Sequence, residues 1–100
     1  MLIDFVYLEK NLQDHIVKQF NSKKNSVYLL EHDSQKIVAK VFKTSRHRFE
    51  FEILQNLYKK NIPVPKPYSL VNQTIFMEYI QGETLMDIIN SNLANKEKFL

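Results

Sequence analysis

The sequence predicts an α+β fold in which a five-stranded antiparallel sheet packs against one helix. Short runs rich in β-branched and aromatic residues alternate with polar turns, which is typical of strands. One segment instead carries apolar residues at every fourth position, which is typical of a helix. Three alternating prolines separate that helix from two further runs of strand type. The 100 residues fit one small domain and not two.

The predicted strands fall into two groups. Residues 15–21, 27–31 and 36–43 follow one another through short polar turns, so we predict an antiparallel meander. Residues 68–71 and 74–80 surround an Asn-Gln turn and are predicted to form a hairpin that joins the same sheet. The segment before the first strand fits neither a strand period nor a helix period, so no element is predicted there.

The predicted helix lies between the two groups of strands. Thr44 and Ser45 are expected to cap it, and it should extend to about Lys60 because Pro63 follows. The predicted apolar face consists of Phe49, Ile53, Leu54 and Leu57.

Composition excludes several classes of protein. The net charge of +3 is too small for a typical nucleic-acid footprint. A chain without cysteine has no disulfide framework and no thiolate metal site, which agrees with the reducing cytoplasm. No apolar run is long enough to span a bilayer, and Asp4 and Glu9 interrupt any secretory signal, so we expect a cytoplasmic protein. With Gly82 as its single glycine, the chain lacks both common glycine-rich phosphate-binding motifs.

Lys40 is the residue that most needs an explanation. It lies in an apolar strand, in phase with Val38 and Phe42, where an ammonium group is costly unless something compensates its charge. One interpretation is that this face meets solvent and the side chain extends into water. The other is that a carboxylate of the following helix pairs with Lys40 and that both face an anionic ligand such as nucleotide phosphates. Glu50 is the first candidate for that carboxylate, with Glu52 as the alternative.

Four segments resemble protein kinases in their order along the chain. Ile37-Val38-Ala39-Lys40 resembles the third-strand lysine motif, and Glu50-Phe51-Glu52-Ile53-Leu54 resembles the helix that supplies its glutamate partner. Ile62-Pro63-Val64-Pro65 and then Met77-Glu78-Tyr79-Ile80 before Gly82 are similar to the proline segment and hinge of the aminoglycoside phosphotransferase, lipopolysaccharide kinase and RIO-like branches. The similarity covers about residues 16–89 and is to the N-terminal small lobe of these phosphotransferases.

This resemblance implies a nucleotide-binding lobe that uses ATP and magnesium. Lys40 would hold the α- and β-phosphates and Glu50 would orient it. Val27 and Val38 would form the apolar roof over adenine, Met77 would be the gatekeeper, and the main chain of Glu78 and Ile80 would bind the adenine edge. Plain core packing remains the alternative for Val27, Val38 and Met77.

The chain also departs from the kinase pattern. The turn at residues 22–26 has no glycine, and neither an H-x-D catalytic loop nor a D-F-G-like magnesium motif occurs. We therefore expect no catalytic residue and no metal ligand here. Residues 1–80 are predicted to be the small lobe, and residues 81–100 the exit from the hinge, with a short helix at 84–90 and the start of a missing large lobe. Such a truncated phosphotransferase would not transfer the γ-phosphate of ATP to a hydroxyl acceptor alone.

Two alternatives belong to other classes of function. The first is a non-catalytic interaction module that keeps the small-lobe shape. In either case an isolated lobe should expose the underside of its sheet, including Val27, Val38, Phe42 and Met77, and so bind itself, a partner protein or the missing large lobe. The second and less favoured alternative is nucleic-acid binding through Lys23, Lys24, Lys36, Lys43, Arg46 and Arg48.

Overall fold

A computed structural model describes residues 3–20, 22 and 24–80 and confirms the predicted α+β fold. All neighbouring strands of the five-stranded sheet are antiparallel, in the order β1-β2-β3-β5-β4. The described elements are α1 (Phe5–Lys10), a 3₁₀ helix (Leu12–His15), β1 (Ile16–Phe20), β2 (Ser26–His32), β3 (Gln35–Val41), α2 (His47–Lys59), β4 (Pro67–Val71) and β5 (Thr74–Glu78).

The register across the sheet determines which side chains share a face. Lys40 in β3 lies between Val27 of β2 and Ile75 of β5. Two positions away on the same strand, Val38 lies beside Met77. Because side chains alternate between the faces of a strand, these five residues point to one face of the sheet.

Each face of the sheet carries a hydrophobic cluster. The cluster on the Lys40 face contains Val27, Val38, Phe42, Ile75 and Met77. The cluster on the opposite face contains Leu8, Leu30, Ile37, Ala39 and Phe76, so α1 covers that face through Leu8.

The helix α1 lies in the segment for which the sequence predicts no element. Asp4 caps it, since Oδ1 of Asp4 accepts a hydrogen bond from the backbone amide of Tyr7 at 3.0 Å. Leu8 is completely buried. With six residues, α1 is too short to show a helical period, and packing against the sheet stabilises it.

The helix α2 occurs where the sequence predicts it, with two differences. Arg46 is the N-cap residue and makes no side-chain cap bond, although Oγ1 of Thr44 accepts from the amide of Arg46 at 3.4 Å. Capping by Thr44 or Ser45 was therefore a wrong prediction. Phe49 was also assigned to the packed face, whereas its side chain is 56% exposed and Phe51 packs beside Leu54 instead.

The underside of the sheet is closed, contrary to the sequence-based expectation. Val27 and Val38 are each only 1% exposed, and Phe42 and Met77 are buried with them. The prediction that these four residues are exposed is wrong, because half-buried side chains from β1, α2, β4 and the segment after β5 pack against them. These are Phe20, Phe51, Leu54, Leu70, Tyr79 and Ile80.

Some predictions concern residues that the structure does not describe. The predicted short helix at 84–90 and Gly82 both lie outside the described residues. Within the described part of the chain, no helix is both long and apolar enough to cross a membrane.

Candidate functional site

Lys40 and Glu50 form an ion pair between the sheet and α2. The Nζ atom of Lys40 donates a hydrogen bond to Oε2 of Glu50 at 3.0 Å. The Lys40 side chain is 19% exposed and that of Glu50 is 32% exposed, so the pair lies at the border between core and solvent. The ring of Phe42 lies beneath the ammonium group, with Nζ 4.9 Å from the ring centroid. The carboxylate and the ring together compensate the charge that burial in β3 makes costly.

The connection between β3 and α2 brings the two charges together. The backbone amide of Phe42 donates to the carbonyl of Gln73 at 2.8 Å, which holds the chain against the β4–β5 turn just after β3 ends. Glu50 lies in the first turn of α2, where its amide donates to the carbonyl of Arg46 at 3.0 Å. The five residues that connect β3 to α2 are therefore enough to bring the side chains of Lys40 and Glu50 together, although the two residues are close in sequence. Glu52, the alternative partner, is exposed.

The apolar site residues predicted from the sequence lie next to this ion pair. Val27 is the direct neighbour of Lys40 across the β2–β3 ladder, and Val38 and Met77 form the adjacent pair across β3 and β5. Tyr79 and Ile80 are packed against this cluster. Val27, Val38 and Met77 therefore lie next to the ion pair, and all three are buried core residues. Since each of them is at most 5% exposed, a ligand reaches them only if neighbouring side chains move.

Two hydrogen bonds join the end of β5 to the proline connector. The amide of Glu78 donates to the carbonyl of Lys66 at 2.9 Å, and the amide of Lys66 donates back to Oε1 of Glu78 at 3.3 Å. These bonds hold the end of the strand against the proline connector. Beyond it, the amide of Ile80 has no hydrogen-bond partner among the described residues.

The positive charge of Lys40 suits an anionic ligand and not a metal ion. A partly exposed ammonium group can bind a phosphate oxygen, whereas the apolar cluster beside it is buried under neighbouring side chains. Among the described residues Glu50 is the one carboxylate that pairs with Lys40, and the ammonium group compensates its charge. The rings of His15 and His32 meet at 4.9 Å elsewhere in the fold, yet within the described ranges no group of three histidine, aspartate or glutamate side chains is arranged to hold a metal.

Sequence reasoning missed two contacts at the site. Phe42 was assigned only to the apolar face of its strand, although its position two residues after Lys40 was sufficient to place both side chains together. Tyr79 was treated as part of the hinge, and its packing on the cluster had no local signal, because it depends on where the chain turns after β5.

Comparison with known proteins decides between the kinase-like branches. The family model of the RIO domain matches residues 12–99. This chain belongs to the RIO domain family. RIO domains are atypical protein-kinase-like domains, so the resemblance to a kinase-like small lobe is confirmed, and its RIO-like branch is the one identified. No curated protein matches the chain.

Membership of the RIO family gives the chain its general chemistry. It is a kinase-like, nucleotide-binding domain, and the family implies ATP and magnesium for the phosphotransferase reaction. The matched range includes β1 to β5, α2 and the Lys40–Glu50 pair, whereas α1 precedes it.

Proposed function

We propose that this RIO domain binds ATP through the ammonium group of Lys40, as the small lobe of a phosphotransferase. The observation that carries the proposal is the 3.0 Å ion pair between Lys40 and Glu50. A lysine held by a carboxylate has one preferred position, so less conformational entropy is lost when it binds a phosphate group. The partial exposure of the pair leaves room for a phosphate oxygen to approach.

The remaining site residues have complementary roles in this proposal. Val27 and Val38 contact the adenine ring from the sheet, and Met77 limits the depth of the pocket behind it. The carbonyl of Glu78 and the amide of Ile80 bind the edge of the base, since the end of β5 leaves the Ile80 amide unpaired among the described residues. Because Val27 and Val38 are each only 1% exposed, adenine reaches them only when the side chains that cover them move, which costs free energy and keeps the affinity low.

The catalytic step requires groups that residues 1–100 do not supply. The sequence has no H-x-D catalytic loop and no D-F-G-like magnesium motif. Without a base for the acceptor hydroxyl and carboxylates for magnesium, γ-phosphate transfer lacks its main stabilising contacts. We therefore infer that these 100 residues bind nucleotide but do not catalyse transfer by themselves, and that further polypeptide supplies the catalytic groups.

Nucleotide titration of Lys40→Met tests the proposal. The wild-type chain should bind ATP, and Lys40→Met should weaken binding by about tenfold, the equivalent of about 1.4 kcal/mol. Lys59→Met is the matched control, because it removes the same charge from the last turn of α2, away from Glu50 in the first turn. Its affinity should equal that of wild type.

Two results would overturn the ATP-binding proposal. One is a wild-type chain that does not bind ATP at millimolar concentration. This result would favour the alternative that the chain is a non-catalytic interaction module. The other is equal affinity of the Lys40→Met and Lys59→Met variants. Circular dichroism of each variant establishes that it has folded before the affinities are compared.

A further inference from the structure

The helix α2 has an apolar stripe that does not belong to either hydrophobic cluster. Phe49, Ile53 and Leu57 follow one another at intervals of four residues and therefore line one side of the helix. Phe51 and Leu54, which pack against the core, lie on average about 130° away around the helix axis. Phe49 is 56% exposed, and no residue of α2 is fully buried. Ile53 and Leu57 are half-buried, so the stripe is an apolar surface that is exposed mainly at Phe49 and partly at the other two residues.

Basic residues lie at both ends of the stripe. Arg46 precedes Phe49 by three positions and Lys60 follows Leu57 by three, so helical spacing places both on the same side as the stripe. Both side chains are exposed, and neither has a carboxylate within ion-pair distance in the described part of the chain. From Arg46 to Lys60 the surface is about 21 Å long at 1.5 Å per residue.

The end of the stripe at the N-terminus of α2 carries more positive charge than the other end. Residues 43–49 contain Lys43, Arg46 and Arg48 and no acidic residue. Positive charge near the N-terminus of a helix is unfavourable, because it adds to the positive end of the helix dipole. Helix stability therefore does not explain these residues, whereas binding of a negatively charged partner does.

We propose that this stripe of α2 is a docking surface for an acidic amphipathic helix of a partner protein. The matching helix has aliphatic residues at intervals of four, which contact Phe49, Ile53 and Leu57, and carboxylates at both ends, which pair with the basic residues. A second copy of this chain is a poor occupant. In a two-fold antiparallel pairing of the stripes, Arg46 of one copy would face Lys60 of the other.

Docking on α2 also affects the candidate nucleotide site, because Glu50 lies in the first turn of the same helix. A partner that holds α2 in place holds Glu50 against Lys40, so partner and nucleotide should bind cooperatively. This coupling rests on the proposed ATP-binding function, whereas the docking surface does not.

The test uses a synthetic amphipathic peptide of about 15 residues, the length that spans the stripe. It carries leucines at intervals of four and two glutamates at each end. The wild-type chain should bind it, and Phe49→Ser should weaken binding by about tenfold. Arg46→Glu should weaken it similarly, and added salt should weaken binding to the wild type. A peptide with lysines in place of the glutamates should not bind.

Matched control variants distinguish peptide binding at the stripe from nonspecific peptide binding. Val17→Ser removes a residue of β1 that is as exposed as Phe49, and Lys24→Glu reverses a charge in the turn before β2. Both should bind the peptide like wild type. Since Phe49 is mostly exposed, Phe49→Ser should keep the unfolding midpoint of wild type, so lost binding would not reflect lost folding.

Several results would overturn the proposal. These are equal peptide affinity of wild type and Phe49→Ser, equal binding of the lysine peptide, a dimer that Phe49→Ser dissociates, or binding to phosphatidylserine vesicles that needs Phe49. The ATP measurement separates the two proposals. Peptide binding that tightens ATP binding by about threefold supports both. Peptide binding by a chain that ignores ATP supports the docking surface and overturns the ATP-binding function.

Discussion

Lys40 shows how the fold accommodates a charged side chain in an apolar strand. Its ammonium group is largely removed from water in an otherwise apolar strand, and Glu50 and Phe42 compensate its charge. The residue type and its strand phase predict that something must compensate the charge. The sequence left Glu50 and Glu52 both possible, and only the path from β3 to α2 selects Glu50.

Glu50→Gln should lower the free energy of unfolding. The substitution keeps the shape of the side chain but leaves the Lys40 charge without its counter-ion. We expect a loss of about 1 kcal/mol, which is below the value for a fully buried pair because both side chains are partly screened by solvent. Urea unfolding measures the change. Glu52→Gln is the control, and an equal loss in both variants would contradict the role given to the ion pair.

The raised pKa of Tyr68 makes the folded state less stable at alkaline pH. Burial raises the pKa of Tyr68 above its ordinary value of 10.0, and the negative charge of Glu78 and nearby Tyr58 raise it further. Above pH 10 the unfolded chain therefore loses this proton while the folded chain keeps it. Stability falls with pH from about pH 10 until the pH passes the folded-state pKa, and below that range the group contributes no pH dependence.

Tyr68→Phe should reduce this alkaline loss of stability. Phenylalanine keeps the ring that stacks on Phe5 and removes the ionisable hydroxyl. Unfolding midpoints in urea, measured from pH 9 to pH 11, should fall less steeply in this variant than in wild type. Tyr7→Phe removes a hydroxyl from an exposed ring and should leave the wild-type slope unchanged.

At the scale of single elements, the sequence predicts the strands better than the helices. Each strand has its own turn residues and its own run of β-forming residues, so local information suffices. The apolar residues of α2 extend around much of its circumference, and the part that faces the sheet is selected by packing. That is why Leu54 was assigned to the core face with Phe49, whereas its actual companion is Phe51.

The helix α1 is the clearest case of an element stabilised by tertiary contacts. Six residues do not form a stable helix in water, so burial of Leu8 against the sheet must contribute most of its stability. Leu8→Ala should cost about 2 to 5 kcal/mol of unfolding free energy. Val6→Ala, on the exposed side of the same helix, should cost less than about 0.5 kcal/mol. Chemical denaturation of both variants checks this, and similar costs would contradict the assigned faces.

At the scale of the whole molecule, local patterns do not determine the order of the strands. The sequence predicts a three-stranded meander and a separate hairpin, but β5 joins the edge of β3 and β4 becomes the outer strand only through the path of α2 and the proline connector. The same non-local packing explains the closed underside. Val27 and Met77 lie on a face that local patterns leave open, and residues distant in sequence cover it.

The two clusters share one set of strands, so we expect the described part of the chain to unfold as a single cooperative unit. Phe42 belongs to the cluster beneath α2 and Phe76 to the cluster beneath α1, and both connect to the central strands β3 and β5. Phe42→Leu and Phe76→Leu should each lower the free energy of unfolding by about 1 to 1.5 kcal/mol. The urea midpoint then falls while the m-value stays unchanged. Circular dichroism and tyrosine fluorescence should report the same transition in both variants. Two separate transitions in either variant would show instead that one face of the sheet can lose its packing while the other keeps it.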